Sequence, residues 1–486
     1  MQFASITFLF FFTCIAFLYY VVPHKIRKCL LLVASYVFCM TWNPSFAVVI
    51  LFITLISFAG GIAIDKFQNN KRGILVFCIL IILGTLIWFK YINFLIETTS
   101  SLLGYMKITI KTRKYDILLP VGISYYTFST ISYLIDIYKN KLKTEYNFIN
   151  FALFVSFFPH LIAGPIDRAD KLLPQFYELK KFNYEEAKRG FLIMIWGYFQ
   201  KLVIADRAAI FVDSIFENIT EYKGIMLISA IFLYTIQIYC DFSGYSDIAR
   251  GAAKILGYDI AINFKRPYFA LSIKDFWNRW HLSLTSWLRD YLYIPLGGNR
   301  KGEIRKNINI IVVFLISGLW HGSNITFVIW GAVHGVLRVI ENLLVPVSAF
   351  LCKKLRIKRE TESIKILKWF LCFCCINLAW VFFRANSISD ALYFYKNMFS
   401  FSGEKAFGII QVIDKMTKPE FCIITVSMLM LIFISAIRSR ISIYELINRQ
   451  NLIFRWLIYY IAIFIILIFG IYGPNYNSAD FIYYKF

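Results

Sequence analysis

Charged residues are scarce in this sequence. Asp, Glu, Lys and Arg make up 17% of its 486 residues, whereas 59% of the residues are hydrophobic and 19% are aromatic. A soluble domain usually has about 25% charged and about 45–50% apolar residues. The deficit extends over the whole chain, whose mean hydropathy is +0.62. This composition excludes an ordinary soluble protein and predicts that lipid is the main solvent.

Acidic residues are scarcer still. The chain has 29 Asp and Glu residues against 52 Lys and Arg residues, which gives a formal net charge of +23. The basic residues lie in short clusters between apolar runs, as in the cytoplasmic loops of membrane proteins. No base-stacking or groove-reading module interrupts these runs. We therefore expect membrane lipid, and no nucleic acid, as the surroundings of the chain.

Motifs for metals, nucleotides and disulfides are also missing. The ten cysteines are scattered, and the closest group, Cys372, Cys374 and Cys375, has no histidine near it. Metal ligation would need His or Cys partners at ligand spacing. The sequence contains neither a Walker loop nor a dinucleotide fingerprint. We expect buried thiols, no metal and no cofactor.

Hydrophobic segments recur along the whole chain. About 20 apolar residues cross a bilayer core of about 30 Å as a helix, so the sequence predicts an all-α, polytopic protein that forms one membrane domain over 1–486. The clearest segments are 3–22, 29–43, 46–65, 73–97, 117–138, 149–164, 187–212, 224–242, 308–320, 325–346, 369–387, 421–437 and 453–472. Several are too short to cross alone and are typical of re-entrant pieces.

The flanks and interruptions of these segments predict topology. The first segment lacks a basic leader and a cleavage site, which indicates an uncleaved span with its N-terminus outside. The last segment then leaves the C-terminus outside. Pro120 and Gly122 lie within segment 117–138, and they predict a kinked helix that lines a cavity.

The most polar and aromatic stretch is 265–306, with nine Lys or Arg against three Asp or Glu. It suits an amphipathic piece at the cytoplasmic surface, where tryptophan rings are favoured. The functional alternative adds that cationic side chains beside apolar grooves suit an anionic, phosphate-bearing acyl donor such as acyl-CoA. The candidate donor-binding residues of this stretch are Arg279, Trp280, Arg289, Asp290 and Asn299.

His321 is the main catalytic candidate. Segment 308–320 begins at a basic, cytoplasmic cluster and spans only about 20 Å as a helix, so Trp320 and His321 should lie below the far surface, inside the membrane. An ionisable residue at that depth is a functional hypothesis by default. A neutral imidazole can take a proton from an acceptor hydroxyl that attacks a thioester. The alternative is a buried histidine bonded to a backbone carbonyl.

The other polar residues are less specific. His281 could orient His321, complete a dyad, bind the donor or be structural, whereas His334 lies on an apolar face and is interpreted as structural. His160 suits packing or a cavity wall equally well. Asp241 lies with Asp247 and Arg250 in the polar run 237–251. Those charges form either structural ion pairs or a substrate-facing group, and Asp241 and Trp320 complete the candidate binding residues.

At these motifs the sequence resembles the membrane-bound O-acyltransferase family. The similarity is to the bacterial branch of alginate O-acetylation proteins, peptidoglycan O-acetyltransferases and D-alanyl-lipoteichoic acid transfer proteins. The motifs that carry it are PVGISYYTFSTISYLIDIY, FFPHLIAGPI, YCDFSGYSDIARG, FWNRWHLSLTSWLRDYLYIPLGGNR and LWHGSNITFVIWGAVHG.

The resemblance implies a ring of tilted transmembrane and re-entrant helices around a central tunnel. It also implies that His321 is the catalytic histidine and that His281 is the second histidine of this branch. The donor of the acetylating members is expected to be acetyl-CoA, and the D-alanyl branch uses a carrier protein. The length of the chain and the stretch LRDYLYIPLGGNR favour the acetylating branch.

The C-terminal FIYYKF resembles a short motif, F-x-Y-F-x-F, in which a tyrosine is proposed to accept the acyl group. On that resemblance Tyr483 relays acetyl to an extracellular SGNH-type acetyltransferase, which modifies a polysaccharide, and the chain lies in the inner membrane. Tyr484 stands where the motif has Phe, and an aromatic interface anchor is the alternative. A polysaccharide or lipid-linked sugar transporter and a catalytically silent scaffold are the alternative functions.

Overall fold

Helices account for every regular element in the part of the chain that the structure describes. The computed structural model describes residues 1–108, 114–162, 164–356, 358, 361–401, 416–437 and 443–472. The chain divides into two compact units: unit 1 is Met1–Phe191 with Ala249–Ala261, and unit 2 is Leu192–Ile248 with Ile262–Phe486. The helical fold class predicted from the sequence is confirmed.

The α-helices follow one another through short connections. They are α1 (Ile6–Val21), α2 (His24–Met40), α3 (Pro44–Lys66), α4 (Lys71–Leu86), α5 (Ile92–Tyr105), α6 (Ile123–Tyr138), α7 (Phe148–Ser156), α8 (Phe158–Leu161), α9 (Ala169–Leu172), α10 (Tyr184–Tyr198), α11 (Asp206–Phe216), α12 (Ile225–Ile255), α13 (Ile273–Trp277), α14 (Leu282–Leu288), α15 (Gly302–His321), α16 (Ile325–Lys354), α17 (Glu362–Arg384), α18 (Ile388–Asn397), α19 (Lys418–Ile437), α20 (Ile443–Asn448) and α21 (Leu452–Phe469).

Short 3-10 and π segments continue or join these helices. The 3-10 turns are Gln68–Asn70, Leu173–Phe176, Ile219–Glu221 and Pro267–Phe269, and the π segments are Ile87–Tyr91, Phe199–Ala205 and Arg289–Tyr293. A π segment widens a helix by one residue and often occurs at a functional site. One of them joins α10 to α11 without a break in the helical path.

Seven helices in the described part are long and apolar enough to cross a membrane. They are Pro44–Lys66, Gln68–Gly104, Ile225–Ile255, Ile325–Lys354, Glu362–Arg384, Lys418–Ile437 and Leu452–Phe469. The multi-pass membrane architecture is therefore confirmed. The helix Ile225–Ile255 differs from the others because 72% of its apolar window is buried inside the protein.

The prediction of a kinked helix around Pro120 and Gly122 is wrong. Helix α6 begins only at Ile123, and Gly122 precedes it with a left-handed backbone, at φ 75°. Glycine adopts that conformation without a steric cost, and a side chain here would also collide with the carbonyl oxygen of Leu161. Pro120 lies in the extended lead-in.

The sequence predicts that one apolar segment ends at 242, within the polar run 237–251. Instead α12 continues without a break to Ile255. Segment 149–164 behaves in the opposite way, because α7 ends at Ser156 and the short α8 follows. Composition therefore predicts where the apolar segments lie. It does not predict where each helix begins and ends.

Helices α15 and α16 form a closely packed hairpin in unit 2. A side chain at Gly318 would collide with the backbone carbonyl of Phe327, and one at Gly331 would collide with that of Phe314. Glycine at these two positions lets the backbones of α15 and α16 approach each other closely. The hairpin matters for function because α15 ends at His321.

Replacement of Gly318 by valine should therefore destabilise the protein. The new side chain meets backbone atoms, which cannot rotate away, and we expect a loss of about 1–3 kcal/mol or more. Thermal denaturation of the detergent-solubilised protein measures the effect. Gly84→Val is the matched control, because the space at Gly84 is open to 4 Å. Equal thermal midpoints for the two variants would contradict the close packing.

Candidate active site

His321 is the last residue of α15 and is 2% exposed. The helix ends there because Gly322 takes an extended backbone, at φ −160°. Any side chain at position 322 would collide with the ring of Phe327. The side-chain Oδ1 of Asn324 then accepts a hydrogen bond from the backbone N–H of Thr326 at 3.0 Å, at the start of α16.

Aromatic rings surround the imidazole of His321. The ring centroids of Trp320 and Trp330 lie 5.0 Å from the imidazole centroid, and that of Phe383 lies 5.3 Å away. All three meet the imidazole edge to face, with interplanar angles of 71–88°. Such contacts favour one orientation of a ring over its alternatives.

His281 lies beside His321. Their ring centroids are 6.3 Å apart, and Trp320 contacts both rings. His281 is fully buried and has a left-handed backbone, with φ 43° and ψ 55°, immediately before α14. A non-glycine residue in this region is unusual, and such residues cluster at functional sites. The structure therefore brings together the two histidines named from the sequence.

Burial affects the charge of His281. Desolvation disfavours the imidazolium form and lowers the pKa of His281 to about 3. The side chain is therefore neutral at physiological pH. A neutral imidazole can accept one hydrogen bond and donate another, which suits a group that orients a partner or receives a proton.

The third histidine of this region, His334, belongs to the same aromatic cluster. It is fully buried, and its ring stacks on Phe276 with centroids 6.4 Å apart and planes within 6°. Trp330 lies between His334 and His321, at 4.9 and 5.0 Å from their rings. The sequence assigned His334 to packing, and these contacts are those of a packed core residue.

The candidate donor-binding residues divide into two groups. Trp280 is fully buried and meets Trp380 at 5.0 Å, within the cluster that holds the histidines, and Trp320 touches both catalytic candidates. The members of the second group are half-buried or exposed, and its two arginines have acidic partners. Arg279 pairs with Asp275 at 2.7 Å, Arg289 pairs with Asp290 at 2.8 Å, and Asn299 is exposed.

Asp241 belongs to a buried charge cluster in unit 2. The ammonium group of Lys201 lies 2.7 Å from Asp241 and 2.8 Å from Asp206, and all three residues are less than 5% exposed. The ring of Tyr245 covers the same ammonium at 5.5 Å. Asp241 thus makes an ion pair, which is one of the two alternatives that the sequence left open, and Lys201 is its partner.

Sequence reasoning missed Lys201, although a signal existed. A lysine within the apolar segment 187–212 is an intramembrane ionisable residue, which by itself indicates a function or a buried partner. Trp330 and Phe383 were also missed. Single aromatic residues in apolar helices carry no comparable signal, because most of them pack in a core or against lipid.

Two further candidates lie elsewhere. In unit 1, Nδ1 of His160 lies 3.1 Å from a carboxylate oxygen of Asp167, and the other carboxylate oxygen accepts the backbone N–H of Ala261 at 2.9 Å. His160 is thus a packed residue with a buried partner. Tyr483 lies outside the described residues, and its assignment stays a prediction.

The histidine cluster is suited to acid–base chemistry away from water. Buried imidazoles change their charge only when a reacting group supplies or takes a proton, and a low-dielectric enclosure strengthens every electrostatic contact within it. The rings described in contact with His321 are those of two tryptophans, a phenylalanine and His281.

The region that contains this cluster is similar to known proteins. The family model for membrane-bound O-acyltransferases matches residues 138–384, which include His281 and His321. A probable alginate O-acetylase of Pseudomonas aeruginosa is 38% identical over 407 residues, which are 82% of this chain and 75% of that protein.

Two other relatives differ in the group or polymer that their names give. A peptidoglycan O-acetyltransferase of Helicobacter pylori is 35% identical over 404 residues, 77% of this chain and 74% of that protein. A teichoic acid D-alanyltransferase of Bacillus subtilis is 30% identical over 233 residues, 46% of this chain and 58% of that protein.

Replacement of Lys201 by methionine should destabilise the protein strongly. The change removes the cation that the carboxylates of Asp206 and Asp241 share, and breaking a buried pair costs about 3–5 kcal/mol. The triple variant K201M/D206N/D241N should recover most of this loss. Thermal midpoints in detergent measure both effects.

Lys365→Met is the control, since Lys365 pairs with Glu362 at the exposed end of α17, and an exposed pair contributes about 1 kcal/mol or less. A triple variant as unstable as K201M would show that the carboxylates do not depend on this cation.

Proposed function

The chain belongs to the membrane-bound O-acyltransferase family, is a multi-pass membrane O-acyltransferase, and we propose that it transfers acetyl groups to a cell-envelope or extracellular polysaccharide. The observation that carries the proposal is the position of His321. It is buried at the end of a helix, within an aromatic enclosure, 6.3 Å from a second buried histidine.

In the proposed reaction His321 is the catalytic base. One imidazole nitrogen takes the proton of the acceptor hydroxyl while that oxygen attacks the carbonyl carbon of the thioester. The tetrahedral oxyanion collapses, the C–S bond breaks, and the departing thiolate receives the proton from the imidazolium. The products are an ester and a free thiol, and His321 returns to its neutral form.

His281 has a supporting part in this proposal. Because it is neutral and shares Trp320 with His321, it can hold the substrate or the catalytic ring by a hydrogen bond. The tryptophan and phenylalanine walls exclude water, which would otherwise hydrolyse the thioester. These walls give the enclosure its low dielectric constant and leave the proton with few alternative acceptors.

The proposed donor is acetyl-CoA, taken from the cytoplasmic side. Its phosphates need cations, and the stretch 265–306 carries nine Lys or Arg against three Asp or Glu. Arg289 keeps 63% of its side chain exposed despite its neighbour Asp290, and Asn299 is exposed nearby in sequence. Guanidinium groups bind phosphate by two parallel hydrogen bonds, which supports a donor-binding part for this stretch.

The acceptor side is proposed from the C-terminal motif and the relatives. Tyr483 would accept the acetyl group and pass it to an extracellular SGNH-type acetyltransferase, which completes the transfer to the polymer. Two relatives are named for alginate and for peptidoglycan, so a polysaccharide acceptor fits both. The proposed location is the inner membrane, because the proposed transfer begins with a cytoplasmic donor and ends on an outer polymer.

D-alanyl transfer from a carrier protein is the second candidate. It is favoured by the similarity to the teichoic acid D-alanyltransferase, which covers 46% of this chain. The acetylating relatives cover 77–82% of it at higher identity. Coverage and identity therefore both support acetyl over D-alanyl as the group transferred.

His321→Ala should abolish polymer acetylation. Loss of a general base lowers the rate by about 10²–10⁴-fold, which exceeds the range of a partial folding defect. Polymer-bound acetate is measured in cells, with the amount of membrane-inserted protein held equal. His334→Phe is the matched control, because it replaces another buried histidine of the cluster with a ring of similar shape. Full acetylation in the His321 variant would indicate a silent scaffold or a transporter.

Tyr483→Phe should separate the two halves of the reaction. The variant should insert into the membrane and still hydrolyse the donor slowly, since the histidines are intact, but it should lose polymer acetylation because the relay oxygen is gone. Donor hydrolysis and polymer-bound acetate are measured in the same membranes. Tyr484→Phe should keep both activities. Normal acetylation by the Tyr483 variant would rule out the relay.

A further inference from the structure

A buried asparagine that the proposed chemistry does not use holds the loop of His281. The backbone carbonyl of Asn263 accepts the N–H of Leu282 at 2.9 Å. Its Oδ1 accepts the hydroxyl of Ser283 at 2.7 Å, and its Nδ2 donates to Ser246 Oγ at 3.1 Å. Asn263 is 1% exposed, so each of these contacts is sheltered from water.

The backbone of His281 requires such support. Its left-handed conformation is unfavourable for a residue with a side chain, and it persists only where the surroundings impose it. The two residues that follow His281 are both bonded to Asn263. On the preceding side, the N–H of Lys265 donates to the carbonyl of Arg279 at 2.9 Å. The segment 263–265 therefore holds the chain on both sides of His281.

The same asparagine links the loop to the helix that supports the imidazole ring. Ser246 lies on α12, four residues after Phe242, and residues at this spacing share one helix face. The Phe242 ring meets the His281 ring edge to face, with centroids 4.6 Å apart and an interplanar angle of 87°. One turn of α12 thus supports both parts of His281: the backbone through Asn263 and Ser246, and the ring through Phe242.

We propose that Asn263 is a positioning residue of the acyl transfer, which acts by holding His281 at its distance from His321. The inference rests on the proposed function. Without the Asn263 side chain, the turn loses its hydrogen bond from Ser283 and its link to Ser246 on α12, and the imidazole is free to move away from the reacting atoms. A misplacement of about 1 Å lowers a catalytic rate by roughly 100-fold.

A purely structural asparagine is the alternative, and Asn377 provides the matched control. It is also buried in unit 2 and bonded to α12: its Oδ1 accepts the hydroxyl of Thr235 at 2.8 Å, and its Nδ2 donates to the carbonyl of Phe373 at 2.8 Å. Neither contact involves the loop of His281. Loss of either amide should therefore lower stability to a similar extent, but only loss of the Asn263 amide should lower the catalytic rate.

The test compares wild type with N263A, N263D, N377A and H321A in reconstituted membranes, with acetyl-CoA as the donor. The rate of CoA release is followed against acetyl-CoA concentration, and thermal midpoints are recorded. N263A should lower kcat by about 10- to 100-fold, with KM changed by less than about twofold. N263D should keep most of kcat, because its carboxylate can accept both serine hydroxyls. N377A should lower the thermal midpoint and leave kcat nearly unchanged.

Each outcome bears on a different statement. An unchanged kcat in N263A, or an equal fall in N377A, overturns the positioning role. Equal rates in wild type and H321A overturn the proposed function instead. Should N263A fail to fold, Ser246→Ala removes only the acceptor on α12, and an unchanged kcat in that variant also overturns the positioning role.

Discussion

The absence of water in the bilayer core is the constraint on which this structure depends. A backbone or charged group that lipid surrounds must find its partner within the protein. Helices satisfy the backbone, and every regular element described is a helix. Charges satisfy one another, as Lys201 does with two aspartates that are each less than 5% exposed. The same exclusion of water gives the histidines their low-dielectric surroundings, so stability and chemistry have one physical cause.

Much of the fold could be predicted from composition and spacing. Apolar segments gave the helical, multi-pass class, and the depth argument for His321 led to a histidine that is buried next to His281. Details that depend on side-chain contacts could not be predicted. The predicted segment ended at 242, and α12 continues to Ile255, because the sequence does not show that Lys201 pairs with Asp241 and that Ser246 binds Asn263.

The site was predicted in part for the same reason. Residue types that are costly in a membrane, such as the two histidines, are visible in a sequence, because only a partner or a function makes them tolerable. Residues that position them are not. Trp330 and Phe383 are ordinary residues of apolar helices, and only the folded chain shows their rings at 5.0 and 5.3 Å from His321. Arg289 and Asn299 are exposed, and their assignment to donor binding still rests on the sequence motif.

The π segment Phe199–Ala205 limits where residues can be inserted into or deleted from this chain. It contains Lys201 and ends immediately before Asp206, so the widened turn sets the angle between the two side chains. Each residue of a helix advances the azimuth by about 100°. A deletion within this segment that restored a regular helix would turn the whole of α11 by that angle. The helix is thus tied to a single register, and change in chain length belongs in the loops.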